Sequence, residues 1–168
     1  MAVARYEEFI DLTALAEANR ARRTRLWHGG VPGLRVGDWI LPPAETGAES
    51  IGDVSRALGF TRVVSRLDRA YVTTDRQLAL ALASGYGRRD RAAGRGSLYA
   101  VEVPAGATLE ADDDFPLGPF ATFQLGRAEV VQVHSVLVDP QDQTLGRYLK
   151  RFVAEADRRG AAARRQNR

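Results

Sequence analysis

Three short stretches of this 168-residue chain bring together side chains suited to chemistry: Trp27-His28-Gly29-Gly30, Ala70-Tyr71-Val72-Thr73-Thr74-Asp75, and the carboxylates Glu110, Asp112, Asp113 and Asp114 after Pro104. An imidazole can hydrogen-bond a hydroxyl, a phenol ring can stack on a flat ligand, and a carboxylate can sit beside a developing cation. Taken singly, each has an ordinary structural reading as well. A histidine near a strand end is often a satisfied packing residue, a tyrosine in a strand is often half-buried, and a run of aspartates is usually a solvated loop.

Residue usage excludes several other chemistries. Cysteine is absent and the only histidines are His28 and His134, which removes thiol nucleophiles, disulfides, thiolate zinc sites and His-rich metal sites. No metal is expected. Schiff-base chemistry has one candidate, Lys150, the only lysine among 24 basic residues, and it falls in an ordinary amphipathic pattern. The glycines at 85, 87, 94 and 96 lack the spacing of a dinucleotide or P-loop phosphate cradle. Arg88, Arg89, Arg91 and Arg95 among them read as an exposed polar loop that could meet a pyrophosphate or an anionic acceptor. His134, inside a valine-rich run, reads as a packed or edge histidine and is assigned no role.

The elements that must hold these residues are legible in outline. At 18.4 kDa, with 45% apolar residues, the chain has room for one domain with one core. Residues 1–157 are expected to form it, with a helix over 5–22, where Tyr6, Phe9, Ile10 and Thr13 share a stripe, and a closing helix over 143–157, where Leu145, Tyr148, Leu149, Phe152, Val153 and Ala156 recur at three-four spacing. Strands are expected at Leu26–His28, Val36–Leu41, Ala70–Thr73, Ser97–Val103, Phe120–Leu125 and Glu129–Val138. Thr74 and Gln77 fit a capping box that opens a helix continued by Leu78, Ala79, Leu82 and Ala83. Residues 44–66 read as a partly ordered insertion in which Ser50–Leu58 could be helical. The sum is an α+β domain.

From Arg147 to Arg168 eight basic residues face only Glu155 and Asp157, so the basicity lies at the end of the chain. Residues 158–168 are expected to be a basic, disordered tail. No run approaches the roughly 20 apolar residues needed to span a bilayer, and the first residues lack a signal-peptide pattern, so a cytoplasmic protein without membrane attachment is expected.

Read in order, the three stretches resemble the NAD-dependent ADP-ribosyltransferases of the His-Tyr-acid group, and most closely their small rifamycin-modifying branch. The resemblance runs from Leu26 to Val138. Leu26-Trp27-His28-Gly29 with Gly37-Asp38 and Pro42 looks like the first motif of that group. Tyr71-Val72-Thr73 before Leu78-Ala79 and Leu82-Ala83 looks like the second. Gly94-Arg95-Gly96-Ser97-Leu98-Tyr99-Ala100-Val101-Glu102, followed by Pro104, Gly106, Leu109-Glu110 and Asp112, looks like the third.

The resemblance implies a split β core of two facing sheets with flanking helices, gripping NAD as co-substrate between them. It implies that His28 and Gly29 position NAD, that Tyr71 stacks on the nicotinamide with Thr73 supporting the same wall, and that Asp112 places negative charge near the cationic sugar. His28, Tyr71 and Asp112 would be the catalytic residues. Asp113 is a close rival for the acid, and Glu129, at the head of a valine-rich strand, is another. The acceptor could be a hydroxyl on a rifamycin-type drug, a protein side chain or a nucleic acid. Two departures bear on it: Thr122-Phe123-Gln124 stands where the branch has Ser-Tyr-Arg, and the insertion from Ala44 to Leu67 is long. An NAD glycohydrolase fits the same residues with water as nucleophile. A non-catalytic nucleic-acid-binding module, using the basic tail and the arginine-rich loop, is the alternative from another class.

Overall fold

The computed structural model describes residues 11–63, 65–86, 95–115, 122–139 and 141–166. Among the described residues, seven antiparallel strands and five helices form a mixed α+β fold. The strands are β1 (Leu26–Gly30), β2 (Trp39–Ile40), β3 (Ala70–Thr73), β4 (Ser97–Glu102), β5 (Glu110–Ala111), β6 (Thr122–Leu125) and β7 (Ala128–Ser135). The helices are α1 (Leu12–Arg20), α2 (Pro43–Thr46), α3 (Ile51–Ala57), α4 (Arg76–Gly85) and α5 (Gln143–Gln166). Among the described residues no helix is long and apolar enough to cross a membrane.

All seven strands hydrogen-bond in one sheet, ordered β2-β7-β4-β1-β3-β6-β5, where two facing sheets were expected. The reason lies at one joint. β1 pairs with β4 over five residues from Leu26↔Val101 to Gly30↔Ser97, and β3 pairs with β6 over four, but β1 and β3 share only Trp27↔Thr73. That single pair keeps the halves continuous and lets them splay apart on one side of it.

Alternation along the strands builds two cores. Leu26, Tyr99, Val101 and Val130 pack with Val72, Phe123 and, from α1, Ala16. On the other face Trp27, Leu98 and Ala100 meet Ala79 of α4, while Leu78, Ala81 and Ala83 pack against Leu149, Phe152, Val153 and Ala156 of α5. Close approach of α4 to β1 requires the absence of a side chain at Gly29, where a Cβ would lie 1.8 Å from the carbonyl oxygen of Ala79. β1 therefore extends through Gly29 and Gly30 instead of ending at His28, and Gly29 is a strand residue under a helix.

Several boundaries differ from the sequence pattern for identifiable reasons. Gly37, at φ +92°, makes a turn held to the sheet by its N–H on the Val130 carbonyl at 2.8 Å, so only Trp39–Ile40 of the expected Val36–Leu41 strand is extended. The N-cap of α4 is Asp75, not Thr74: its Oδ1 accepts from the N–H groups of Gln77 and Leu78 at 2.9 and 3.1 Å, and a carboxylate suits the positive end of a helix. The insertion is ordered by a capping box at Ser50 and Asp53, which starts α3. Helix α5 continues to Gln166, so residues 158–166 of the expected disordered tail are helical: four arginines and three alanines, good helix formers, outweigh the one glycine, Gly160. The first part of the expected 5–22 helix and most of the arginine-rich loop lie outside the described residues.

Candidate active site

The cleft opens where β1 and β3 part. Past Trp27↔Thr73 the ladder stops, and the side chain of His28 crosses the gap: its Nδ1–H donates to the backbone carbonyl of Tyr71 at 2.8 Å. A carbonyl can only accept, which fixes the neutral tautomer and leaves Nε2 as an acceptor. Burial pushes the pKa of His28 below its ordinary value, and the bond to Tyr71 opposes this only in part. The imidazole is therefore neutral near pH 7.

Two neighbours set the pose of that ring. Tyr99, directly opposite in β4 and fully buried, lies 6.5 Å away with its ring inclined by 23°. Its hydroxyl donates to the Val31 carbonyl at 2.7 Å and accepts from the Leu34 N–H at 3.3 Å, which ties down the chain leaving β1. Gly30 leaves space on the other side: a Cβ there would stand 2.3 Å from Nε2. Gly29 and Gly30 thus divide the work, the first admitting α4 and the second freeing Nε2.

Tyr71, half-buried on β3, supplies an aromatic wall of the same cleft. Its hydroxyl accepts from the Arg66 N–H at 2.8 Å. Burial, reinforced by the negative charge of Asp112, Asp114 and Asp113, pushes its pKa up to about 12, so the phenol stays protonated. The cleft, about 790 Å³ with its open mouth, is lined mainly by apolar groups: Val31, Leu34, Trp39 and Ile40 on one side, and Ile51 and Val54 of α3 with Tyr86 on the other. Tyr86 donates to the Glu49 carbonyl at 3.1 Å and so holds the insertion against the end of α4.

The carboxylates stand beside Tyr71 on the β5–β6 side. Tyr71 is in register with Gln124, and Gln124 with Glu110, so the three side chains share a face. Gln124 Nε2 donates to Glu110 Oε2 at 3.4 Å and to Asp113 Oδ1 at 3.3 Å. Arg69, which lines the cleft, donates through Nε to Glu110 Oε2 at 3.2 Å. Asp112 is 4% exposed, and its Oδ1 accepts from the Asp114 N–H at 2.8 Å in a local turn. Burial raises its pKa. The Asp114 N–H is the main opposing influence, and Thr122 favours the charged form from nearby although its hydroxyl makes no hydrogen bond of ordinary geometry.

Of the residues singled out in the sequence, His28, Gly29 and Tyr71 meet in the cleft, and Asp112 and Asp113 stand in the acidic cluster next to it. Thr73 does not line the cleft. Its buried hydroxyl accepts from the Asp75 N–H at 2.9 Å and so helps to start α4. Glu129 does not line the cleft itself: it lies four residues along β7 from Val133, the residue level with Tyr99 and His28, and pairs with Glu102 and with Trp39, which does line it. Tyr99 and Arg69 carry no role in the sequence reading, and Gly30, Glu110 and Gln124 appear in it only as parts of motifs. The alternation of β4 carried a signal for Tyr99, which it places opposite His28 once the strands are paired.

No protein-family model matches the chain, and no curated protein matches it. Among the described residues no group of three or more His, Asp or Glu side chains is placed to hold a metal ion.

Proposed function

We propose that the chain is an ADP-ribosyltransferase that takes NAD as substrate, breaks its nicotinamide–ribose bond and joins ADP-ribose to a hydroxyl-bearing acceptor. The observation that carries this reading is the imidazole of His28 bridging the opening between β1 and β3, with Nε2 free to accept and Tyr71 as a flat wall beside it. In this scheme Nε2 of His28 accepts from a ribose hydroxyl and the Tyr71 ring stacks on the nicotinamide.

The C1′–N bond breaks with its electron pair leaving on the neutral nicotinamide, and the sugar passes through an oxocarbenium-like state. The acceptor oxygen then bonds to C1′, and its proton goes to a carboxylate. Asp112 is the first choice for that carboxylate, as the resemblance implies, and Asp113 the second, because its Oδ1 is held by Gln124, the residue in register with Tyr71. Glu129, on the far side of β1 and β4, is not favoured. The apolar lining from Trp39 to Ile51 suits a small apolar acceptor better than a protein loop or a nucleic-acid strand.

The test is nicotinamide release from NAD by the pure protein, with and without a rifamycin-type acceptor. Tyr71→Ala and Asp112→Asn are expected to lower turnover by about 100-fold or more, the order of a lost transition-state interaction, while Glu129→Gln leaves it within about twofold. Release without transfer identifies a glycohydrolase. Turnover unaffected by either site substitution overturns the assignment.

A further inference from the structure

On the face of β1 opposite His28, two guanidinium groups and an imidazole converge on one indole ring. The Cζ atoms of Arg25 and Arg76 lie 5.8 and 5.6 Å from the centre of the Trp27 ring, and His134 of β7 meets that ring edge-on at 4.7 Å. Arg25 Nη1 donates to His134 Nε2 at 3.1 Å, so a neutral His134 carries its proton on Nδ1. Both arginines are exposed, Trp27 is only 7% exposed, and neither guanidinium has a carboxylate partner among the described residues.

This arrangement gathers positive charge. Arg76 is the first residue of α4, where the helix already presents partial positive charge. Arg25 adds a second cation over the same ring, and the charged groups facing His134 are these two arginines. Held over one indole face by cation–π contacts, the two guanidinium groups and the helix N-terminus concentrate positive charge at one point of the surface, and a negatively charged ligand there would meet all of them. The ligand class follows from the donors. Two planar guanidinium forks over a closed aromatic floor, with an imidazole at its edge, match an oxyanion with several free oxygens. The indole is too buried to stack a base.

We infer that Arg25, Arg76 and His134, seated on Trp27, form a binding site for a terminal phosphate group, a phosphomonoester, separate from the cleft. This site does not depend on the proposed reaction: a pyrophosphate-linked dinucleotide has no terminal phosphate to offer it.

The experiment follows the two imidazole signals by NMR at constant ionic strength while inorganic phosphate, a nucleoside 5′-monophosphate or a dinucleoside phosphodiester is added to the full chain, with His134→Asn to assign the signals. The expected result is saturable movement of the His134 signal with the two monoester-type probes, with Kd of about 1 mM or tighter, and no saturation with the diester. Arg25→Gln and Arg76→Gln should each weaken binding by about tenfold or more without altering the thermal midpoint, since both side chains are exposed. A linear response to every probe, equal affinity for the diester, or binding unchanged in both variants overturns the site.

Discussion

The two histidines sit on opposite faces of the same few strands, and both have lowered pKa values for different reasons. At His28 burial dominates, and the neighbouring polar group is a backbone carbonyl that partly restores the charged form. At His134 burial is joined by the positive charge of Arg25 and Arg76. One is a neutral acceptor built into a cleft by packing; the other belongs to a patch of like charges at the surface. A shifted pKa therefore identifies neither site by itself. Its cause distinguishes a position locked by the fold from one that an anion or salt can reset.

The sharpest way to break this contrast is at the cleft. Replacing His28 by Ala should lower kcat/KM for NAD by about 100-fold or more, measured as nicotinamide release, whereas His134→Ala should change it by less than about twofold. Equal losses would erase the distinction between the two sites.

Next in size is the pair of adjacent glycines. In Gly29→Ala the new Cβ meets the backbone of α4, which cannot move aside cheaply, and a loss of roughly 3 kcal/mol in denaturant unfolding is expected. In Gly30→Ala the new methyl meets the imidazole, which can rotate at the expense of its bond to Tyr71. That variant should lose about 1 kcal/mol of stability and most of its NAD turnover.

Away from both sites, Asn19 provides a structural control. Buried at the end of α1, it donates to the carbonyls of Val101 and Thr24 and accepts from the Val103 N–H at 2.8 Å. Asn19→Ala should cost about 2–3 kcal/mol, since it leaves buried backbone groups unpaired, and leave catalysis of the remaining folded protein unchanged.

The smallest effects are in titration. His28 has a lower pKa folded than unfolded, so the unfolded chain takes up its proton first as pH falls. Its contribution to stability is present above the ordinary histidine pKa of 6.5 and is lost as pH falls from there through the lowered folded value. The slope of stability against pH in that window should flatten in His28→Gln. Raising salt from about 0.05 to about 0.5 M shortens the screening length to a few ångströms and should raise the pKa of His134, which Arg25 and Arg76 help to hold down, while moving that of His28 less.

Much of the element order was readable because period and punctuation carry it. Leu78, Ala79, Leu82 and Ala83 repeat at helical spacing, the α5 stripe repeats likewise, and Ser97–Glu102 alternates. The cap of α4 was misplaced by one residue because Thr74 and Asp75 both satisfy the local pattern; only the hydrogen bonds select Asp75. Glycine at 29 and 30 reads as a turn when neighbours along the chain are all one has, and as strand once α4 lies against it. Within the site, His28 and Tyr71 were legible by type and position, whereas the duty of Thr73 and the company of Gln124, Glu110 and Arg69 were not.

Local information in this chain was enough to set the longer strands and helices, from Ala70–Thr73 through α4 to the start of α5, and which few side chains have the chemistry to act. The tertiary structure decided the rest: that one residue pair joins the halves of the sheet, that His28 spans the gap beside it, and that Arg25, Arg76 and His134 gather on Trp27. Periodicity and capping depend on residues within a few positions of one another, while strand pairing and charge clustering join residues about 45 to 110 positions apart, and nothing in the local sequence weighs those encounters.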